Sequence, residues 1–148
     1  MPVIARKKTT SEWLILSCGI WSVGLGLYFF FRPALLPEDL AFMHMTIIRV
    51  RAEMPELENW LSKVFMVIGG FIAGSGLLTI YLAVTVLPSR PKGISIVLAL
   101  FGALTFAVMS VINFNLNSVY KWPLLFPFII WVLGLVLYLK NPRPSFDV

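Results

Sequence analysis

The sequence predicts an all-α integral membrane protein: a bundle of four transmembrane helices with a short extracytoplasmic amphipathic helix between the first two. Three observations predict this architecture. Of the 148 residues, 59% are hydrophobic and only 13% are charged, which is about half the charged share of a globular protein. A soluble domain of this size could not bury so much apolar surface. The other two observations are four long apolar runs and one charged stretch between the first and second of them.

The four apolar runs are predicted to be transmembrane helices of a single membrane domain over residues 1–148. A helix needs about 20 apolar residues to cross the hydrocarbon core, and it satisfies its own backbone hydrogen bonds in lipid. The first run lacks a small-residue cleavage pattern, so we expect it to be retained and not removed as a signal peptide. The predicted spans, which contain no Asp, Glu, Lys, Arg or His, are 13–31, 64–87, 94–112 and 122–139.

The distribution of lysine and arginine predicts the orientation of the chain. Basic residues favour the cytoplasmic side of a membrane. With the N-terminus inside, the outer side holds five basic residues and the inner segments hold seven. The seven inner residues are Arg6, Lys7, Lys8, Arg90, Lys92, Lys140 and Arg143. Both termini are therefore expected in the cytoplasm, and the membrane is expected to be a plasma or inner membrane. The net charge of +5 then anchors the inner face and does not indicate nucleic-acid binding.

Small residues at spacing four predict where the helices pack, because helices in lipid associate through close backbone approach. The fourth helix has only Gly134 and is otherwise bulky, so we expect it to lie at the periphery or against a partner chain. Packing within one chain is the first interpretation of the small residues, and a homodimer seam is the alternative. The predicted packing residues are Ser22, Gly26, Gly70, Gly74, Ala99 and Ala103.

The charged stretch, here called the connecting segment (residues 32–60), holds five of the seven acidic residues and the only histidine. Pro37 and the acids after it suit the start of a helix. Apolar residues then recur at spacings of three and four up to Met54, which predicts one amphipathic helix over the outer end of the bundle. The β-branched stretch "TIIRVR" leaves a strand as the alternative. A further helix start at Pro55 is expected to run into the second span.

The connecting segment is the main polar surface that this chain offers, and three roles for it stay open. It is a structural lid, a docking surface for another protein, or a catalytic or metal site around His44. On one continuous helix, Arg51 would share a side with His44, which disfavours a metal and suits an anionic headgroup. Three alternating asparagines in the next outer loop could contribute. The candidate partner or ligand surface is His44, Arg49, Arg51, Glu53, Trp60, Asn113, Asn115 and Asn117.

Missing residues exclude several classes of function. Proton-coupled and ion transport usually need an ionisable group at membrane depth, and none is present in the apolar runs. One histidine cannot supply both axial ligands of a bis-histidine haem, and one cysteine forms neither an internal disulfide nor a CxxC pair. No catalytic residue, metal site or cofactor is predicted.

In topology and length the chain resembles the small bacterial four-helix membrane proteins, including the DoxX-like ones. No motif carries this resemblance, so it transfers no functional residue. The first function we expect is a non-catalytic accessory or assembly subunit of a larger membrane complex. The second is a binder of lipid, quinone or another apolar molecule in a pocket beneath the connecting segment. The third is a membrane enzyme or transporter using groups of that segment. Expected partners are membrane lipid and other membrane subunits or a second copy.

Overall fold

A computed structural model describes residues 8–141, and in this part of the chain it contains helices and connecting turns but no strand. The helices are numbered in chain order: α1 Thr10–Phe31, α2 Pro37–Phe42, α3 Ile47–Glu53, α4 Leu57–Tyr81, α5 Ile94–Gly102, α6 Val108–Asn115 and α7 Lys121–Lys140.

Two π-helical turns continue α4 beyond Tyr81 and join α5 to α6, so that each set forms one long helix. Helix α4 continues through the π turn Leu82–Val86 and the 3₁₀ turn Leu87–Ser89. In the π turn the Leu87 N–H donates to the carbonyl of Leu82, directly before Pro88, which has no N–H to donate. Helix α5 likewise continues through the π turn Ala103–Ala107 into α6.

Residues 8–141 thus contain four helices long and apolar enough to cross a membrane, which confirms the predicted number and is compatible with a membrane protein. They are Thr10–Phe31, Leu57–Ser89, Ile94–Asn115 and Lys121–Lys140. The helix Leu57–Ser89 is called the second span below, and Ile94–Asn115 the third span. The second span begins within the predicted connecting segment, as the helix signal after Pro55 indicated.

Helix α1 starts at a capping box that its sequence explains. The Thr9 hydroxyl accepts the N–H of Glu12, and the Glu12 carboxylate accepts the N–H of Thr9 at 2.9 Å. Two of the free N–H groups at the helix start are thereby satisfied. The carboxylate of Glu12, which is buried, is therefore held at the very edge of the apolar run. Helix α1 ends at Phe31, where Arg32 is extended and Pro33 follows.

Helix α1 lies between its neighbours: it packs along α4 on one side and against α7 on the other, and α7 packs against the third span. The close approach of α1 to α4 depends on glycine. A Cβ on Gly26 would lie 2.5 Å from the Ala73 nitrogen and 2.6 Å from the Gly69 oxygen, and a Cβ on Gly76 would lie 2.7 Å from the Val23 nitrogen. The interface on α4 is therefore the stripe of Gly69, Ala73 and Gly76.

The predicted packing residues fall partly in this interface and partly outside it. Ser22 and Gly26 are buried. Gly70 and Gly74 are exposed: a Cβ on Gly70 would only touch the ring of Phe30, and one on Gly74 would have nothing within 4 Å. The prediction is wrong by one residue, which turns a helix by about 100°. The sequence offered both stripes and did not distinguish them.

The third span shows the same displacement by one residue. Ala99 and Ala103 are exposed, whereas Leu98, Gly102 and Phe106 are buried. The reason is Trp131 of α7, whose indole lies on Gly102 where no side chain would fit. Its indole N–H donates to the carbonyl of Leu98 at 3.1 Å, which supplies the acceptor that the sequence did not reveal.

Helix α7 is consequently not peripheral, contrary to the prediction from its bulky residues. Trp131 is 2% exposed and Tyr138 is 3% exposed. The Tyr138 hydroxyl lies 3.3 Å from the carbonyl of Leu87 at the end of the second span. Bulky residues can hold a helix at the centre of a bundle when a glycine such as Gly102 faces them.

The connecting segment forms two short helices, α2 and α3, and not the single amphipathic helix that was predicted. His44 adopts a left-handed conformation with φ 54°. The N–H of His44 donates to Ala41 O and the N–H of Met45 to Leu40 O, which is the Schellman arrangement that terminates helices. Glycine usually occupies this position, so a histidine there gave no sign of the break. The alternative of a strand is also wrong, whereas the side of the membrane on which the segment lies stays a prediction.

Candidate functional site

An open groove runs between α4 and the third span, because within residues 8–141 these two elements do not pack along each other. Helix α1 forms its floor. The groove consists of a deep cavity of about 410 Å³ between α4 and the third span and an adjoining mouth cavity of about 430 Å³ towards the connecting segment, which is lined by α1, α2, the third span and the start of α7 but by no residue of α4. The two cavities share four lining residues, Trp21, Leu25, Phe29 and Met109, and are therefore adjoining parts of one groove.

The deep cavity is lined by aromatic and aliphatic side chains and by three hydroxyls. The hydroxyls of Ser22, Ser75 and Thr105 donate to the carbonyls four residues earlier on their own helices, at 2.9, 2.7 and 2.6 Å. Each hydroxyl thus donates its one hydrogen bond within its own helix, while its oxygen can still accept a hydrogen bond from another group. No Asp, Glu, Lys, Arg or His lines this cavity.

The mouth cavity is lined by a partly buried ion pair, whose Asp39 side chain is 38% exposed. The Arg32 side chain is 10% exposed, and its Nη2 donates to Asp39 Oδ2 at 2.9 Å. The guanidinium carbon lies 4.2 Å from the ring centroid of Phe65 and 5.4 Å from that of Phe29. A buried cation needs such partners, since desolvation without them is costly. The same Asp39 oxygen accepts the N–H of Leu36 at 2.8 Å, so the ion pair fixes α2 to the end of α1.

A second contact joins α2 to the loop between α6 and α7. Glu38 Oε1 accepts the N–H of Val119 at 3.3 Å. That loop is shaped by another Schellman turn: Asn117 has φ 51°, and the N–H of Ser118 donates to the carbonyl of Asn113 at 3.0 Å. The mouth is thus covered by α2 and this loop. Its ionisable lining residues other than tyrosine are Arg32, Glu38 and Asp39.

The residues predicted as a partner or ligand surface do not form one site. Asn113 lines the mouth cavity and donates its amide N–H to Met109 O. Asn117 accepts from Lys121, while Asn115 is exposed. His44, Arg49, Arg51, Glu53 and Trp60 are exposed on the far part of the connecting segment and line none of the cavities described here.

The charges of the connecting segment form surface ion pairs. Arg49 and Glu53, four positions apart on α3, form an ion pair at 2.7 Å. Arg51 is bound through two nitrogens by Glu58, at 3.0 and 3.2 Å. This hydrogen bonding, together with the charge of Glu58, raises the pKa of Arg51 above its ordinary value. These arginines are therefore already paired.

His44 stands at the turn between α2 and α3, where its backbone ends a helix. The break in the helix removes the shared side that His44 and Arg51 would have had. Among residues 8–141 no group of three or more His, Cys, Asp or Glu side chains could hold a metal ion.

The residues that shape the groove were mostly missed from the sequence. Glu38 and Asp39 were interpreted as acids of a helix start and as possible partners of His44, and Arg32 as an outer basic residue. One available signal was Trp21, which lies within an apolar run and has an indole N–H that needs an acceptor. The other was Arg32 itself, which directly follows three phenylalanines of the run.

No model of a protein family, no curated protein and no solved structure matches this chain. The function is therefore argued from the groove and its surroundings.

Proposed function

We propose that this protein binds an amphiphilic small molecule of the lipid or quinone type in the groove between α4 and the third span. The observation that carries this proposal is the gradient along the groove. The deep cavity is apolar with no charged side chain, while the mouth holds the Arg32–Asp39 ion pair and Glu38. Apolar pockets with a few convergent polar groups at one end are typical of ligand sites.

The architecture keeps the groove open. The approach of α1 to α4 is fixed by glycines, and that of α7 to the third span by Trp131 on Gly102. No such contact joins α4 to the third span. Each cavity has a volume within the range of small-molecule sites, roughly 300–1,000 Å³. An acyl or isoprenoid chain would fill the deep cavity and complete the packing between the two spans.

The proposal includes a position in the membrane. The bias of basic residues supports both termini in the cytoplasm of a plasma or inner membrane, with the connecting segment outside. The mouth would then lie at the outer surface, and the deep cavity at the depth of the acyl chains. A ligand would reach the groove from the bilayer. Cysteine substitution at His44, followed by labelling with an impermeant maleimide on intact cells, tests this orientation: labelling supports it, and protection contradicts it.

The two π turns supply a matched pair of variants for testing the groove. Thr105 and Thr85 each lie in a π turn and each donate a hydroxyl to the carbonyl four residues earlier, both at 2.6 Å. Thr105 lines the deep cavity, whereas Thr85 is exposed elsewhere. Thr105→Phe should therefore fill the cavity, and Thr85→Phe should change only the surface.

Native mass spectrometry from a mild non-ionic detergent then measures the bound molecules. We expect the unaltered protein and Thr85→Phe to retain one amphiphile of defined mass, and Thr105→Phe to lose it. If all three proteins carry the same broad mixture of lipids, the molecules are a general lipid coat and the groove is not a binding site. An unaltered protein that carries no bound molecule, and also fails to bind added amphiphiles, contradicts the proposal as well.

A second candidate is the accessory subunit expected from the sequence, and one observation favours it. The outward face of α4 has a shallow concavity at Gly70 and Gly74, flanked by Met66, Phe71 and Leu78. A transmembrane helix of a neighbouring subunit would fit there through small-residue packing. Gly74→Leu should then abolish a stoichiometric complex that Gly24→Leu preserves, because Gly24 is an equally open helical glycine on α1. Equal behaviour of the two variants, or a protein that is monomeric throughout, counts against this candidate.

A further inference from the structure

We infer that the groove selects an uncharged amphiphile, and that the Trp21 indole N–H donates a hydrogen bond to a carbonyl oxygen of that ligand. This inference rests on the proposed binding function and specifies its ligand. The two sources of such a ligand are an isoprenoid quinone and a neutral glyceride, which share an uncharged polar end with carbonyl oxygens.

Trp21 is the unused donor at the centre of the groove. It lines both the deep cavity and the mouth cavity. Its indole N–H makes no hydrogen bond to any residue between 8 and 141, and its nitrogen keeps some exposed surface, since no unpartnered side-chain nitrogen or oxygen in that range is fully buried. An N–H without an acceptor in an apolar surrounding is unfavourable. A ligand oxygen would remove that penalty.

An aromatic cluster holds Trp21 in place. Its ring lies against Phe106, with centroids 6.4 Å apart, and Phe106 in turn lies 5.1 Å from the buried Trp131. A donor that is positioned before the ligand arrives loses little conformational entropy on binding. The hydroxyls that line the deep cavity already donate hydrogen bonds to backbone carbonyls of their own helices. The donor that remains for a ligand there is the Trp21 indole N–H.

The charges around the groove disfavour an anionic ligand. The deep cavity has no charged side chain that could compensate an anion, and a charge at that depth would be strongly unfavourable. In the mouth, Arg32 is neutralised by Asp39, and Glu38 adds one negative charge. Counted over the three residues, the mouth carries a net charge of −1. Phosphate and carboxylate headgroups are therefore repelled, whereas an uncharged headgroup is accepted.

The test compares three probes on the full-length protein in a maltoside detergent by isothermal titration calorimetry. Decylubiquinone represents a quinone, 1,2-dioctanoylglycerol a neutral glyceride and dodecyl phosphate an anionic amphiphile. We expect one of the two uncharged probes to bind at least about tenfold more tightly than dodecyl phosphate, a difference near 1.4 kcal/mol. The tighter of the two identifies the source.

Two variants test the named groups. Trp21→Phe keeps an aromatic ring but removes the donor, and we expect about a three- to tenfold loss of affinity for the preferred probe. Trp13→Phe, at an exposed tryptophan outside the groove, should leave that affinity unchanged. Glu38→Gln keeps an acceptor for the Val119 N–H, removes the negative charge and should strengthen the binding of dodecyl phosphate.

The outcomes separate this inference from the proposed function. If no probe binds, the binding function itself is contradicted. If dodecyl phosphate binds as tightly as the uncharged probes, and Glu38→Gln does not change it, the groove binds amphiphiles but the charge selection is wrong. If Trp21→Phe folds, with the thermal unfolding midpoint of the unaltered protein, and binds the preferred probe equally well, the role of Trp21 is wrong. If Trp21→Phe does not fold, the Glu38→Gln comparison still decides the charge selection.

Discussion

A single methyl group on Gly26 should separate α1 from α4. A Cβ at this position would lie 2.5 Å from the Ala73 nitrogen, 2.6 Å from the Gly69 oxygen and 2.7 Å from the Ala73 Cβ, whereas ordinary contact begins near 3.4 Å. The local separation must therefore increase by about 0.8 to 0.9 Å. Since two of the opposing atoms belong to the backbone, no side-chain rotation can relieve the clash. Overpacking of this kind destabilises by about 1–3 kcal/mol.

Gly24 provides the matched control on the same helix. A Cβ on Gly24 meets nothing within 4 Å, so Gly24→Ala gains helix propensity, about 1 kcal/mol at most, without a clash. Gly26→Ala receives the same gain and adds the overpacking penalty. The difference in unfolding free energy between the two variants therefore isolates the contact of α1 with α4.

The assay is equilibrium unfolding in mixed micelles with increasing SDS, monitored by circular dichroism. Gly26→Ala should unfold at a lower SDS fraction, with a free energy of unfolding about 1–3 kcal/mol below that of Gly24→Ala. If the two variants agree to within about 0.5 kcal/mol, the usual scatter of surface substitutions, then α1 and α4 do not approach through Gly26 and the described bundle is wrong.

Three further predictions concern Trp131, Arg32 and His44. Trp131→Phe removes the buried hydrogen bond to the third span and should lower the free energy of unfolding by at least about 1 kcal/mol. An unchanged unfolding midpoint would contradict the position of α7 between α1 and the third span. Arg32→Met breaks the ion pair with α2 and should speed limited proteolysis of the connecting segment several-fold, while Arg49→Met, at a solvent-exposed pair, should leave the rate unchanged. His44→Gly suits the left-handed turn and should slow hydrogen exchange in α2; faster exchange would show that the turn depends on histidine.

The number and type of the long helices could be predicted from the sequence, because apolar runs of this length have few other solutions in lipid. The side of each helix that packs could not. On α4, Gly70 and Gly69 are neighbours, and the periodicity of small residues fits either stripe. The buried stripe there is the one that Gly26 faces, at Gly69. In the third span the small residues Ala99 and Ala103 pointed to the stripe that is exposed. The buried stripe of that span includes the large residues Leu98 and Phe106, and only Gly102, where the Trp131 indole lies, has to be small.

The groove could not be predicted either, because it too depends on contacts between residues that are distant in the sequence. The three asparagines of the predicted outer loop were considered as contributors to a polar surface, and a cavity does lie beside Asn113. The paired charges of this cavity, Arg32 and Asp39, are seven positions apart and meet only because the chain turns at Pro33. The break at His44 was hidden because histidine has taken a position that glycine usually occupies.

Photolabelling tests the central claim, binding in the groove, most directly. A neutral diacylglycerol or quinone carrying a diazirine on its apolar chain, incorporated with the protein into lipid nanodiscs and irradiated, marks the residues it touches. The groove predicts labelled peptides at Leu25, Thr105 and Met109, suppressed by an excess of the unlabelled compound. Labels spread over the exposed face of the same helices, at Ile20, Leu27 and Leu104, and insensitive to competition would contradict it.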